Sequence, residues 1–193
     1  MKNILWILVV VFFISSVACN RKAHGAASAN DTAFVPFTKS LKDLVDRNNL
    51  DIKKLQFFVD QKLIMRRSLG KQKVDIKSGV IVFENGEYMQ EIIIPAFTPG
   101  VCEHSTGNQL QISFETSSNN MSFAAMGDNT YFRLLGHNWD QRYGTTEIVY
   151  DNQNYKVQCA SCTNAGDAKL VVRKNQMDKL QNSKRIVEGR KVE

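Results

Sequence analysis

From residue 54 onward, the chain alternates between short apolar runs and clusters of turn-forming residues. The runs are rich in β-branched and aromatic residues, which is typical of strands. We predict roughly ten strands with turns about every 8 to 12 residues, a spacing typical of antiparallel sandwiches and small barrels. The predicted strands cover residues 55–59, 63–67, 74–83, 88–94, 101–105, 110–115, 121–125, 130–135, 146–150, 155–159 and 168–173. No helical segment of useful length separates them, so the pattern predicts an all-β fold, either an antiparallel β-sandwich or a small β-barrel, and not a parallel α/β sheet.

Two turns are expected to join neighbouring strands in hairpins. Asn85-Gly86 is the strongest turn signal in the chain, because a type I′ turn needs a positive φ at both central residues. Residues 60–62 would likewise join the two strands on either side of them. Pro95 is expected to end the strand before it, since proline has no amide hydrogen to donate to a ladder.

One short helix is predicted ahead of the strands, over residues 39–47. Ser40 offers an N-cap, the apolar residues of the segment form a single stripe, and an asparagine pair after it would end the helix. Residues 34–174 are therefore the predicted β-rich domain. The remaining residues, 175–193, are polar and basic with only a thin helical stripe, which predicts a partly helical or disordered tail.

The first residues have the organisation of a signal peptide, predicted over residues 1–18. Lys2 precedes an apolar run over residues 4–14, which is about 11 residues long and too short for a membrane-spanning helix of roughly 20. Small residues then lead to Cys19, and this segment resembles the lipobox of bacterial lipoproteins, although Ser16 stands where that family usually has leucine. The resemblance implies cleavage before Cys19 and a covalent diacylglycerol and fatty acid on it. No other cofactor is expected.

The same resemblance implies an exported protein held to a membrane by its lipid. Residues 19–33 are small and polar and would form a flexible tether, because they cannot bury enough apolar surface to offset the entropy of ordering them. Asn20 is not the aspartate that favours inner-membrane retention in the enterobacterial version of the family, so it favours the outer membrane, with the domain facing the periplasm. Two alternatives stay open: ordinary secretory cleavage after Ala18, or further on at Ala27 or Ala29, and an uncleaved anchor.

The net positive charge of the chain bears on which kinds of partner it could bind. Lysine and arginine number 25 against 19 aspartate and glutamate, and loss of Lys2 with the signal leaves a net charge of about +5. Basic residues crowd the segments 53–77 and 169–191. In an exported protein they are not expected to meet nucleic acid, but they would suit anionic lipid headgroups or an acidic protein. The alternative is that they belong to ordinary solvated faces and a soluble tail.

Three cysteines remain once Cys19 is lipidated. An oxidising compartment favours a disulfide between Cys159 and Cys162 and leaves Cys102 alone. Two alternatives stay open: unpaired cysteines, and a tetrahedral zinc site formed by Cys102, His104, Cys159 and Cys162, since residues two apart on a strand project to one face. A thioredoxin-like site is not expected, because the Cys-x-x-Cys pair follows a strand and enters a loop instead of starting a helix.

Residues 137–143 are predicted to form a loop that combines aromatic, amide and charged side chains. Trp139 and Tyr143 are candidates for stacking on a sugar ring, with neighbouring polar groups bonding its hydroxyls. The alternative is that Trp139 anchors a long loop onto the core.

The chain contains no nucleophile elbow, phosphate loop or dinucleotide fingerprint, and we predict no enzyme activity. Segments 55–59, 91–101 and 110–115 together resemble small uncharacterised lipoproteins of the Bacteroidota; the resemblance spans about half the chain and implies no known activity. The sequence therefore predicts a non-enzymatic accessory or structural lipoprotein of the cell envelope, a component of an outer-membrane assembly with other envelope proteins as partners. The alternative is a periplasmic or surface lipoprotein that binds a glycan or small ligand.

The anchor generates the first testable prediction. Cys19→Ala should abolish labelling by fatty acid, because the residue that accepts the lipid is gone. It should also move the protein from the membrane pellet to the soluble fraction, or leave it unprocessed, since each buried CH₂ of the acyl chains contributes about 0.8 kcal/mol to membrane binding. Acyl labelling that persists in this variant would place the lipid elsewhere.

Overall fold

The computed structural model describes residues 33–71, 76, 78–116, 119–127 and 130–181. In these ranges the chain forms two packed antiparallel sheets with few helical residues, so the predicted all-β sandwich class is confirmed. None of the helices in this part of the chain is long and apolar enough to cross a membrane.

Thirteen strands and two helices are formed by the described residues. The strands are β1 (Phe34–Pro36), β2 (Gln56–Val59), β3 (Leu63–Gly70), β4 (Val80–Glu84), β5 (Glu87–Ile94), β6 (Pro99–Thr106), β7 (Gln109–Ser113), β8 (Met121–Ala124), β9 (Arg133–Leu134), β10 (His137–Asp140), β11 (Thr145–Tyr150), β12 (Gln153–Cys159) and β13 (Leu170–Arg173). The helices are α1 (Lys39–Arg47) and α2 (Lys174–Gln181), and short 3₁₀ turns cover Ile52–Lys54 and Ala165–Asp167.

The strands divide between a seven-stranded and a six-stranded sheet. The seven-stranded sheet has the order β1-β13-β2-β6-β7-β8-β9, and the six-stranded sheet has the order β10-β11-β12-β3-β5-β4. Residues around β9 also form hydrogen bonds to segments next to β1 and β13, at the far end of the same sheet. Lys39 N donates to Thr130 O at 2.7 Å, and Leu134 N donates to Ala168 O at 3.0 Å. These bonds curl the seven-stranded sheet around the core.

Alternation of apolar and polar positions turns one face of each sheet into a shared core. In β12, Tyr155, Val157 and Cys159 are buried and the residues between them are exposed. Phe37 and Phe57 meet edge to face in the core, with ring centroids 5.0 Å apart. Burial of each such large side chain contributes about 1.5–3 kcal/mol, so this shared core is the main source of stability.

The predicted hairpin around residues 60–62 is wrong, because the strands on its two sides belong to different sheets. β2 pairs with β13 and β6, whereas β3 pairs with β12 and β5. Asp60 N donates to Lys169 O at 3.0 Å, and Lys169 N donates to Asp60 Oδ1 at 2.7 Å. These two hydrogen bonds hold the end of β2 in the seven-stranded sheet, and the chain then crosses to the six-stranded sheet. Burial raises the pKa of the Asp60 carboxyl above its ordinary value of 3.8, although the Lys169 amide and charge oppose that rise.

The predicted helix has the expected range, but its N-cap lies two residues earlier than expected. Thr38 has an extended backbone, and its Oγ1 accepts a hydrogen bond from Leu41 N at 3.2 Å. Ser40 lies inside the first turn. Lys42 is buried, and its ammonium group donates to Asp46 Oδ2 at 2.6 Å one turn later.

The turn at Asn85-Gly86 has the geometry that the sequence predicts. Both residues have positive φ, 51° and 82°, and they connect β4 to β5 with Glu84 paired to Glu87. Pro95 follows the last residue of β5, also as predicted. The expected strand 74–83 begins only at Val80 in the described residues, and 74, 75 and 77 lie outside them.

Two other segments differ from expectation. Residues 137–140 form strand β10, not a loop, because they pair with β11 through an irregular register. The expected strand 130–135 is reduced to Arg133–Leu134, although its flanks bond to the segments before α1 and β13. At the C-terminus, α2 directly follows β13, and Met177 is buried in the core; residues 182–193 of the predicted tail lie outside the described part of the chain.

The turn between β10 and β11 packs on the loop that follows β12. Ala165 N donates to Gly144 O at 2.8 Å, and a Cβ added to Gly144 would overlap the carbonyl oxygen of Thr163. Gly144 also has a positive φ of 61°. This turn can therefore approach the loop only because residue 144 has no side chain.

Gly144→Ala should lower the melting temperature by clearly more than Gly107→Ala. Both glycines have positive φ, so both substitutions carry a backbone cost of about 1–2 kcal/mol, but a Cβ on Gly107 would meet open space. The overlap with Thr163 should add about 1–3 kcal/mol at Gly144. Thermal unfolding of the two variants measures the difference, and equal destabilisation would contradict the packing described.

Candidate functional site

The anchor predicted from the sequence is outside the residues that the structure describes. These residues do not include Cys19, the predicted signal peptide over 1–18, or the predicted tether up to residue 32. The anchor therefore stays a prediction, and the candidate sites described next belong to the β-rich domain.

Cys159 and Cys162 are joined in a disulfide with their Cα atoms 5.5 Å apart. Cys159 is the last residue of β12 and is buried against the core, and Cys162 packs on the core's edge. The bond closes a tight loop where the chain leaves the six-stranded sheet. Because the cross-linked loop is so short, it contributes less stability than a disulfide that closes a long one.

The alternative zinc site is not assembled by this fold. The disulfide occupies two of its four proposed ligands, and a bulge separates the other two. Cys102 pairs with Ile112 but His104 pairs with Gln111, so the extra residue between them turns the two side chains to opposite faces of β6. Cys102 is buried, whereas His104 is exposed. Among the residues that the structure describes, no group of three or more His, Cys, Asp or Glu side chains has metal-site geometry.

Cys102 is the free cysteine of the described domain, and it faces the core. Its Sγ donates a hydrogen bond to the carbonyl oxygen of His104 at 3.3 Å. Burial raises the pKa of the thiol from 9.0 to about 11, although the positive charge of Lys53 opposes the rise. A thiol that stays protonated at neutral pH is a poor nucleophile, so Cys102 acts here as a small core residue.

Trp139 and Tyr143 lie on the β10–β11 hairpin and both are exposed. The six-membered ring of Trp139 packs on Gly166, where a Cβ would overlap it. The turn is held by Asp140, whose Oδ1 accepts hydrogen bonds from the backbone amides of Arg142 and Tyr143 at 3.0 and 3.3 Å. Arg142 lies over the Tyr143 ring, 5.3 Å from its centroid. Trp139 thus packs the hairpin against the Ala165–Asp167 turn, and about half of its surface stays exposed.

A surface that the sequence reasoning missed is the outer face of β3, β4 and β5. Its apolar residues form two cross-strand pairs, Ile64 with Ile93 and Val82 with Met89, and Val80 stands at the end of the face. Val80 and Ile93 are exposed, and the other three are half-buried. An outward face of this composition is typical of an interaction surface.

A cleft of about 290 Å³ lies beside these apolar residues, on the same outer face. Ile64 and Met89 line it together with charged groups, among them Arg66 and Lys156. Arg66 Nε contacts Glu91 Oε2 at 2.6 Å, and its NH1 is 3.7 Å from Glu84 Oε2. The lining holds two basic residues, Arg66 and Lys156, and two acidic residues, Glu84 and Glu87, so the cleft has no strong preference for one sign of ligand.

Strand β4 is the edge of the six-stranded sheet next to this face. In the described part of the chain it pairs with β5 alone. Val80 is 56% exposed and Phe83 is 66% exposed. Four of the five residues of the strand are apolar, and the strand contains neither the lysine nor the proline that commonly protects an exposed edge from pairing. Non-alternating apolar runs in the sequence were the signal that could have found it.

Comparison with known proteins found no family model, no curated protein and no solved structure that matches this chain.

The state of the cysteines gives a prediction that needs no partner. The purified mature protein should react with a thiol reagent only slowly at pH 8, because Cys102 is buried and its raised pKa keeps the thiolate scarce. Its reactivity should increase as the pH rises toward about 11, where the thiol of the folded protein ionises. In denaturant without reductant one thiol should titrate, and Cys102→Ser should remove it. Three titrating thiols, or stoichiometric zinc in protein purified without added metal, would contradict the disulfide.

Proposed function

We propose that this protein is a non-enzymatic accessory lipoprotein of the cell envelope, and that it binds a protein partner by adding a strand to the edge at β4. The observation that carries the proposal is the apolar edge strand β4, which pairs only with β5 among the residues that the structure describes. The predicted lipid on Cys19 would hold the domain at the outer membrane, facing the periplasm. The partner would be another envelope protein with an extended segment, since strand addition recognises backbone groups first and side chains second.

The register of the hairpin supports strand addition at two positions. Glu84 and Glu87 flank a two-residue turn and therefore form a hydrogen-bonded pair, and bonding alternates along an antiparallel ladder. By that alternation, the amide and carbonyl groups of Ile81 and Phe83 point away from β5. These groups can bond to an incoming strand, which can run either antiparallel or parallel to β4.

The side chains beside the edge support the same proposal. A strand that pairs with β4 would shield part of Val80 on one face of the sheet and part of Phe83 on the other, and both are exposed in the domain as described. Full burial of a side chain of this size contributes about 1.5–3 kcal/mol, so shielding part of each one favours contact at this edge. Ile93, on the outer face nearby, would extend the apolar contact.

Phe83→Pro should abolish stoichiometric copurification of the partner. Phe83→Ala is the matched control, because both variants lose the aromatic ring and only proline also loses the outward amide. The alanine variant should retain part of the binding. Measurement uses tagged, lipidated protein from detergent-solubilised envelopes, with melting curves to show that both variants fold.

Two results would contradict the proposal. One is wild-type protein that elutes alone, without a stoichiometric partner. The other is a folded Phe83→Pro variant that keeps the partner at wild-type stoichiometry, which would place the contact elsewhere.

A second candidate function is glycan or small-ligand binding, favoured by the exposed Trp139 and Tyr143 on one hairpin. The two aromatic residues lie at β10, the edge of the six-stranded sheet opposite β4. A substitution at one edge therefore tests one candidate function without altering the other site. A glycan that changes Trp139 fluorescence in wild-type protein and in Phe83→Pro alike would favour the second candidate.

A further inference from the structure

The outer face of the seven-stranded sheet has an aromatic cluster outside the main core. We call it the phenylalanine face and define it by Phe34, Phe58, Phe97 and Val101. Phe34 stacks on Phe97 with ring centroids 4.7 Å apart, and it meets Phe58 edge to face at 4.9 Å. Phe97 and Val101 are exposed. The face therefore presents aromatic and aliphatic groups directly to the surroundings.

Phe58 is outward-facing and still buried, which shows how tightly this cluster is built. The preceding residue, Phe57, points into the core and is fully buried, so Phe58 projects to the opposite face of β2. It is covered by Phe34 and by the guanidinium of Arg173, which lies 5.5 Å from its ring centroid. The cluster is a second, smaller apolar layer on the outside of the sheet.

The backbone places Phe97 at the outer rim of this layer. Phe97 has a φ of 60°, a left-handed conformation that is uncommon for a bulky residue. Its amide donates to Val59 O at 2.7 Å, and the turn is closed by Thr98 N donating to Pro95 O at 3.2 Å. An exposed phenylalanine is thus held in a strained position where it projects from the surface.

Positive charge borders the phenylalanine face. A groove of about 580 Å³ runs between Phe97 and α2, and the charged residues that line it are Arg173 and Lys179. Its other polar lining consists of the amides of Gln56, Asn175 and Gln176. Asp178 belongs to the same helix but does not line the groove. Aromatic groups beside cations, with no carboxylate in the lining, suit the boundary between acyl chains and anionic headgroups.

Both ends of the described domain meet at this face. Phe34, which belongs to the cluster, is the first residue after the predicted tether over residues 19–33. Fourteen residues separate it from Cys19, and a chain of this length reaches at most about 50 Å when fully extended. At the other end, the sequence after α2 contains four basic residues against two glutamates: Lys184, Arg185, Arg190 and Lys191 against Glu188 and Glu193.

We propose that the phenylalanine face rests on the membrane surface, with Phe97 and Val101 at the boundary between headgroups and acyl chains and with Arg173 and Lys179 on anionic headgroups. This proposal rests on the lipid anchor of the proposed function. The tether enters the domain at Phe34, which is part of this face, so the face can lie against the bilayer to which the tether leads. The anchor would then set the distance, and the face would set the orientation.

The test uses lipidated full-length mature protein in vesicles that contain phosphatidylethanolamine, phosphatidylglycerol and lipids brominated on their acyl chains. Phe97→Trp reports contact with the bilayer through quenching of its fluorescence. Val149→Trp is the matched control, because Val149 is 59% exposed on the six-stranded sheet, compared with 47% for Phe97. Trp139 contributes the same background to both variants.

Phe97→Trp should be quenched at least twofold more than Val149→Trp, with a shift of its emission to shorter wavelength. Adding Arg173→Gln and Lys179→Gln, or replacing phosphatidylglycerol with phosphatidylcholine, should reduce that quenching. Equal quenching of the two tryptophans, in protein that floats with the vesicles, would overturn the orientation and leave the anchor standing. Protein that does not float would overturn the anchor and the orientation together. A soluble quencher gives a further check. If an added envelope fraction shields Phe97→Trp from it and lipid vesicles do not, the face binds a protein and the proposal is overturned.

Discussion

The two hydrogen bonds between Asp60 and the backbone of Lys169 mark the point where the chain crosses from one sheet to the other. Asp60 both donates to and accepts from the backbone of Lys169, so the end of β2 is held beside the segment that leads into β13. The chain has only residues 61 and 62 in which to leave this sheet before Leu63 begins β3 and is buried in the core from the other side. Partial burial of a carboxyl group is costly, which the raised pKa of Asp60 reflects, and its hydrogen bond to the Lys169 amide offsets part of that cost.

This crossing gives the sandwich two chemically different outer faces. β2 lies near the middle of the seven-stranded sheet, so its outward residue Phe58 becomes the centre of an aromatic layer next to the N-terminal strand. β3 lies inside the six-stranded sheet, next to β5, and directs the half-buried Ile64 outward on a face that ends at the edge strand β4. The proposed functions of the two faces are compatible, because a domain resting on lipid by one sheet presents the other sheet to a partner in the periplasm.

The local elements could be predicted from the sequence far better than their partners could. The helix over Lys39–Arg47 and the turn at Asn85-Gly86 depend on propensities and φ requirements within a few residues, and the structure has both. The pairing of β2 depends on β13, more than one hundred residues later, and no local signal distinguishes that arrangement from a hairpin. The bulge beside Cys102 could not be predicted from the sequence either. One extra residue moves the His104 side chain to the other face of the strand without altering the apolar pattern.

The departures from alternation, in contrast, point to the surfaces that the sequence reasoning did not identify. In a two-layer sandwich each strand has one core face, so consecutive apolar residues must direct at least one side chain outward. Phe57-Phe58 is such a pair, and its outward member lies at the centre of the phenylalanine face. The run Val80 to Phe83 is another, and it forms most of β4, the edge strand of the described six-stranded sheet. Ile92-Ile93-Ile94 is a third, with Ile93 exposed between two residues that pack on the core. Consecutive apolar residues in a strand therefore mark the outward apolar surfaces of this domain, and the proposed contacts with a membrane and with a partner protein depend on these three runs.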